Sequence, residues 1–204
     1  MRYSRQVRFA PIGHVGQERL GQARVLVAGC GALGSAAAEQ LCRAGVGRLR
    51  LVDRDFVEPS NLQRQTLYTE ADAAAALPKA VAARERLAAI NAAVAVEAVV
   101  AEIHAGNVCE LVAGCDLVID GGDNFVLRHL INEACCLARV PWIYAACVGA
   151  YAVSLPILPG ETPCLRCLQD QLPAAGESPT CDTAGAMIPA VHLAAAWQVA
   201  EALK

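Results

Sequence analysis

The hydrophobic positions of this chain alternate between two periods. Arg24-Val25-Leu26-Val27-Ala28-Gly29 is a short apolar run rich in β-branched residues, and it reads as a buried strand. Ser35 to Ala44 follows as an Ala-rich helix closed by Gly45, and Arg48-Leu49-Arg50-Leu51-Val52-Asp53 is the next strand. Strand, turn, helix, strand predicts a βαβ unit with parallel strands and a right-handed crossover. A polar loop then runs from Arg54 to Thr69. Pro78 opens a helix to about Asn91, with proline at or near its first position. Val94 to Val100 and Asp116 to Asp120 read as the third and fourth strands, the latter ending in Gly121-Gly122. A helix from about Phe125 to Ala138 follows. Strands begin at Pro141 and span Tyr151 to Leu158, and an apolar helix runs from about Ile188 to Leu203. The segment through Gly21 is polar and mixed, with a short helix near Gln17-Glu18-Arg19-Leu20. Residues 159 to 183, rich in Pro, Gly, Cys and Thr, read as an ordered loop or crossover.

Composition narrows the class. A length of 204 residues fits one large domain, or a domain with a small appendage. With 55% hydrophobic and 18% charged residues the chain is globular, and a net charge of -3 argues against charge-driven nucleic-acid binding. Aromatics are only 4%, so Ala, Val and Leu must fill the core. The start does not read as a signal peptide, and no apolar run is long enough to predict a membrane span. The expected setting is reducing cytoplasm, where ten cysteines stay free, bind metal or do chemistry.

Gly29-Cys30-Gly31-Ala32-Leu33-Gly34 is G-x-G-x-x-G between a strand and a helix. Gly29 suits a tight turn, Gly31 lets a phosphate approach the backbone, and Gly34 lets helix and strand pack closely. The helix start offers free N–H groups to an anion. Asp53, ending the second strand, stands about where a ribose-binding acid belongs. The pattern alone does not separate ATP from NAD. The following loop carries Asn61 and Arg64 where a nicotinamide would need a flat apolar slot. No G-x-x-x-x-G-K-[ST] occurs, which excludes P-loop chemistry.

Six segments then occur in order: Arg2-Tyr3-Ser4-Arg5-Gln6, the Gly29–Gly34 turn, Asp53-Arg54-Asp55, Ser60-Asn61-Leu62-Gln63-Arg64-Gln65, Pro78-Lys79, and Asp120-Gly121-Gly122-Asp123-Asn124. Together, over essentially the whole chain, they resemble the ThiF/MoeB/HesA family, E1-like enzymes that adenylate ubiquitin-like sulfur-carrier proteins. The resemblance implies a doubly wound, Rossmann-like α/β fold with a mainly parallel sheet. It implies an ATP- and Mg²⁺-dependent adenylyltransferase acting on a ThiS- or MoaD-like carrier, working as a homodimer. Arg5 and Arg64 would neutralise phosphate charge, Arg64 as an arginine finger across the dimer interface. Asn61 would hydrogen-bond the phosphates, Lys79 would bind ATP, and Asp123 beside Asn124 would hold magnesium. Lys79 falls in the first turn of its helix, where the dipole disfavours a cation by roughly 0.3–1 kcal/mol. Asp120 competes as a cap. Arg128, one helical turn beyond Asn124, reads as a buttress of the Asp123 loop, structural rather than catalytic.

Cys164-Leu165-Arg166-Cys167 is C-x-x-C, half of a Cys₄ zinc site. In the family a second C-x-x-C completes the tetrahedron. This chain has none, so the expectation is an adenylation domain over 1–204 that stops short of it. Its nucleotide-binding half covers about 1–140, and a crossover loop and partial carrier-binding half about 141–204. Cys181 or His192 could substitute as ligands, though no spacing demands it. Cys181 matches the position of a reactive cysteine in ThiF-type proteins, and an inert, partly buried thiol is its alternative. The other cysteines read as packing residues. Two rival functions remain, a non-catalytic E1-like carrier-binding module and an NAD-dependent oxidoreductase. The complete Arg5, Asn61, Arg64, Lys79, Asp123 set argues against the first.

Overall fold

The computed structural model describes residues 2–171 and 181–204, the side chains of Cys181 and Asp182 excepted. Two short helices, α1 (Ser4–Val7) and α2 (Gly13–Leu20), precede the sheet. Then come β1 (Arg24–Ala28), α3 (Ala32–Ala44), β2 (Arg48–Val52), α4 (Glu70–Ala74), α5 (Lys79–Ile90) and β3 (Ala95–Val99). These are followed by α6 (Val108–Val112), β4 (Leu117–Asp120), α7 (Phe125–Ala138), β5 (Trp142–Val148) and β6 (Tyr151–Ile157). The chain continues through α8 (Leu165–Leu168), α9 (Cys181–Ala184) and α10 (Ile188–Ala202).

The six strands lie in the order β3-β2-β1-β4-β5-β6. The first five are mutually parallel, and β6 runs antiparallel to β5 with Trp142 opposite Ile157. Only Gly149 and Ala150 separate β5 from β6, and Gly149 has φ +60°, the sign a tight hairpin needs at its first central residue. The expected doubly wound α/β sheet is therefore present. The differences are local. Helix α3 begins inside the glycine turn, ahead of Ser35. Helix α4 stands where no helix is expected, nucleated by a reciprocal cap between Thr69 and Asp72. Pro78 sits just before α5, outside the helix proper.

Alternation along the strands sorts the core into two faces. Val25, Val27, Leu49, Leu51, Ile119 and Ile143 pack under α3, α5 and α10. Leu26, Ala28, Val118, Trp142 and Ile157 pack under α6 and α7. The alanines of α3 are small enough for α10 to lie directly on it, which is how so few aromatics fill this core. Gln198 of α10 is fully buried, and its amide donates to the Asp120 carbonyl (2.8 Å) and the Ile143 carbonyl (3.0 Å). Among the described residues no helix is long and apolar enough to cross a membrane.

The crevice that matters lies between β1 and β4. There the connections leave in opposite directions, and ligands of open α/β sheets bind at the carboxyl ends of such strands.

Candidate active site

The turn after β1 is shaped by contact with the turn after β4. Gly29 has φ +96°, and its amide donates to the Val52 carbonyl at 2.8 Å. A Cβ on Gly34 would run into the Gly29 carbonyl, and a Cβ on Gly121 would meet the same oxygen. Backbone-to-backbone packing therefore requires these glycines, Gly34 within the turn and Gly29 and Gly121 across the crevice. Gly31 differs: the nearest atom to a Cβ there is 3.8 Å away, which leaves its face open to a ligand. Gly31 is the N-cap of α3, no side chain caps that helix, and its first amides stay free for an anion.

Asp53 braces this turn. One of its carboxylate oxygens accepts from the Cys30 amide (2.6 Å) and the other from the Asp55 amide (2.7 Å). Burial raises its carboxyl above the usual range, against the pull of those two amides and Lys79. A ribose hydroxyl would have to use the remaining lone pairs. Cys30 is buried, and burial pushes its thiol well up, so it is packing, as expected. Its carbonyl accepts from the buried Tyr68 hydroxyl at 2.7 Å. Tyr68 thereby fastens the loop after β2 to the phosphate turn. Neither bond is visible as a motif, since each joins residues with no fixed spacing.

Lys79 is no solvated surface charge. Its side chain is 9% exposed and its ammonium lies 3.0 Å from Asp55. Asn61 is buried, its side-chain oxygen taken by the Glu58 amide (3.2 Å), while its amide nitrogen makes only a long contact to Ser60 (3.4 Å). Arg64 donates to the Ser60 carbonyl (3.0 Å) and has no carboxylate partner among the described residues. Gln65, 4% exposed, leaves its side-chain oxygen without a partner among them. Asp123 is exposed beyond β4. One of its oxygens accepts from Asn124 (3.1 Å), and Asn124 in turn caps α7 by accepting from the Leu127 amide (2.9 Å).

A model of the ThiF family matches residues 3–204. The chain belongs to the ThiF family. It is 50% identical over 203 residues to the sulfur carrier protein ThiS adenylyltransferase of Bacillus subtilis, covering all of this chain and 60% of that protein. Over 206 residues it is 40% identical to the molybdopterin-synthase adenylyltransferase of Salmonella typhimurium, covering 81% of it. A crystal structure of E. coli MccB with ATP superposes with a TM-score of 0.85 at 27% identity, over all of this chain and 63% of that one. The chain thus spans less than two thirds of the B. subtilis relative and of MccB.

Not every residue carried by the ThiF-family resemblance gathers at the crevice. Helix α1 is tied to the far ends of α3 and α5. Gln6 donates to the Ala44 carbonyl (2.8 Å), Arg2 to the Ile90 carbonyl (2.8 Å), and Tyr3 pairs with Asn91 (2.8 Å). Those ends lie at the amino edge of the sheet, so Arg5, exposed on α1, is not brought to the glycine turn of its own chain. Cys164 and Cys167 stand 3.7 Å apart, sulfur to sulfur. No group of three or more potential metal ligands occurs among the described residues, and the pair has two of the four thiolates a closed zinc site needs. His192 is on α10, across the sheet from that pair. The side chain of Cys181 lies outside the described residues. A cavity of about 390 Å³ runs along α7, lined by Val126, His129, Glu133 and Arg166 among others, and none of its lining belongs to the glycine turn.

Proposed function

We propose that this ThiF-family chain activates the C-terminal carboxylate of a ubiquitin-like sulfur-carrier protein as an acyl-adenylate, at the expense of ATP. What supports the reading is a convergence at one crevice: an uncapped helix start over Gly31, Lys79 held on α5, the Asn61–Arg64 loop fastened by Tyr68, and Asp123 one strand away. The names of the relatives point the same way, and the 50% identity to a ThiS adenylyltransferase favours a ThiS-like over a MoaD-like carrier.

The chemistry asks for little beyond placement and positive charge. A terminal carboxylate has a pKa of about 3.5 and is already a nucleophile at neutral pH. One of its oxygens attacks the α-phosphorus, the bond from that phosphorus to the bridging oxygen breaks, and pyrophosphate leaves. Free amides of α3 and the Lys79 ammonium bind the phosphates, and the Arg64 fork and Asn61 donors steady charge as it builds. Asp123 has an oxygen without a partner among the described residues and suits a hard cation, which typically takes one or two carboxylates plus substrate phosphates. Mg²⁺ bound there would neutralise phosphate charge and favour pyrophosphate as leaving group. Arg5 reaches such a site only from a second copy of the chain, so a homodimer belongs to the proposal. Cys164 and Cys167 would supply half of a zinc site. Among the described residues the thiols of Cys30, Cys42, Cys135, Cys164 and Cys167 are free, in keeping with a cytoplasmic setting.

Carrier-dependent exchange of pyrophosphate into ATP tests the reading. Asp123→Ala should abolish exchange with the fold intact by circular dichroism, and retained exchange would remove the magnesium assignment. Binding of MgATP without binding of NAD separates this reading from the oxidoreductase. ATP binding with no exchange for any Gly-Gly-terminated carrier would leave the non-catalytic module.

A further inference from the structure

Asp120, the last residue of β4, and Arg128 of α7 form an ion pair with side chains 0% and 6% exposed, Nε to Oδ2 3.0 Å. Such a pair gives up the hydration of both charges, and an apolar pair of similar volume often serves stability equally well. The surrounding bonds show what the pair does instead. Asp120 accepts from the Gly122 amide at 2.9 Å, and Arg128 donates to the Gly122 carbonyl at 3.0 Å. Both polar groups of Gly122 are therefore held, one by each partner. The same guanidinium nitrogen donates to the Ala145 carbonyl at 3.1 Å, and the Ala145 amide reaches Asp120 at 3.4 Å. The rings of Phe125 and Tyr144 flank the guanidinium at 5.4 and 5.1 Å. Gln198 secures the Asp120 carbonyl from the opposite face of the sheet. Asp123 follows Gly122 directly and precedes Asn124, itself fixed as the cap of α7. The exposed carboxylate thus hangs between two immobilised peptides.

We infer that Arg128 is a positioning residue for Asp123. Acting through Gly122, it sets where that carboxylate stands at the crevice, and hence how tightly the chain holds a divalent cation shared with nucleotide phosphates. The inference rests on the reading of Asp123 given above. A lysine cannot replace this arginine, because one ammonium does not reach Asp120, Gly122 and Ala145 with a planar fork.

Arg128→Lys keeps the charge opposite Asp120 and loses the fork. Manganese binding, followed by electron paramagnetic resonance with a non-hydrolysable ATP analogue, should weaken about 10-fold, the scale on which outer partners of metal ligands act. The magnesium concentration for half-maximal exchange should rise by a similar factor, with the larger part of the lost rate recovered at high magnesium. A variant that melts earlier yet binds manganese as the wild type does would overturn the inference. If Arg128→Lys does not fold, the pair Asp120→Asn with Arg128→Gln removes both buried charges and is read the same way. Failure of the wild type to exchange with any carrier would count against the proposed function, whereas the manganese comparison would still decide the role of Arg128.

Discussion

The Lys79 ammonium stands 3.0 Å from an Asp55 carboxylate oxygen, and the Lys79 amide donates to the Asp55 carbonyl at 2.8 Å. The two residues pin the loop after β2 to the first turn of α5. They also explain how a cation persists at a helix start, where the dipole opposes it: a carboxylate sits beside it. Asp55→Asn leaves a nearly buried ammonium without its counter-charge. The stability lost should be small, ~1 kcal/mol, because Asp55 is itself half exposed. The KM for ATP should rise, since Lys79 loses its fixed position, while Lys79→Met should cost about 10²-fold in exchange rate, as removal of a donor to developing charge does. An unchanged KM in Asp55→Asn would mean that packing alone holds Lys79.

Gly31 and Gly34 carry different loads and should separate in the laboratory. Gly34→Ala drives a methyl into the Gly29 carbonyl, and overpacking of this kind costs about 1–3 kcal/mol. Gly31→Ala meets nothing closer than 3.8 Å, so its stability should stay within about 0.5 kcal/mol of the wild type. Nucleotide binding should nevertheless be lost, because the methyl occupies the approach to the free amides. Urea denaturation and a nucleotide titration on both variants check this. Tight ATP binding by Gly31→Ala would show that phosphate does not sit there.

The position of α1 makes a claim about assembly. If Arg5 serves a second copy's site, then Arg5→Ala and Asp123→Ala chains, each inactive alone, should complement when mixed. In a twofold dimer formed at random, about one quarter of wild-type sites are whole, and about that share of exchange activity should return. No recovery from mixed chains shown to form heterodimers would remove Arg5 from the reaction.

The thiols should differ in reactivity. Burial, and after it neighbouring Cys136 and Cys115, raise the Cys135 thiol to about 12, so it should resist iodoacetamide in the folded protein. Burial raises the Cys164 thiol as well, but hydrogen bonds from the Cys167 amide, Asn132, the Cys167 thiol and the Arg166 amide outweigh it and hold Cys164 below the ordinary range. A lowered pKa means more thiolate at a given pH. The alkylation of Cys164 should therefore persist to lower pH than that of a free cysteine thiol, whose pKa is about 8.5. Mass spectrometry of tryptic peptides over a pH series reads both. A Cys164 rate that falls off at higher pH than the free thiol would contradict the bond pattern.

Much of the architecture is legible in the chain order. Periodicity alone separates β1, α3 and β2, and places α7 over Phe125–Ala138, because each such element buries one face and the pattern records it locally. Short helices held by caps, such as α4, leave too little periodicity to read. The glycine turn is legible because its spacing is dictated by one covalent stretch. The Tyr68 bond to Cys30 and the Asp55–Lys79 pair join distant segments, and no local pattern announces them.

By itself, then, the sequence determined the strand-turn-helix units, the open face at Gly31, and the set of charged residues suited to a nucleotide. Only the tertiary structure decided which of those residues share a crevice. Strand order places the loops after β1 and β4 side by side, so the Gly121-Gly122 turn that leads into Asp123 meets the glycine turn while Arg5, at the opposite edge of the same sheet, does not. It also decided that Arg128, read as a buttress, holds the Gly122 carbonyl beside Asp123 while its partner Asp120 holds the Gly122 amide. The reason is physical: burial patterns depend on near neighbours in the chain, whereas a binding crevice depends on which strands become neighbours in the sheet.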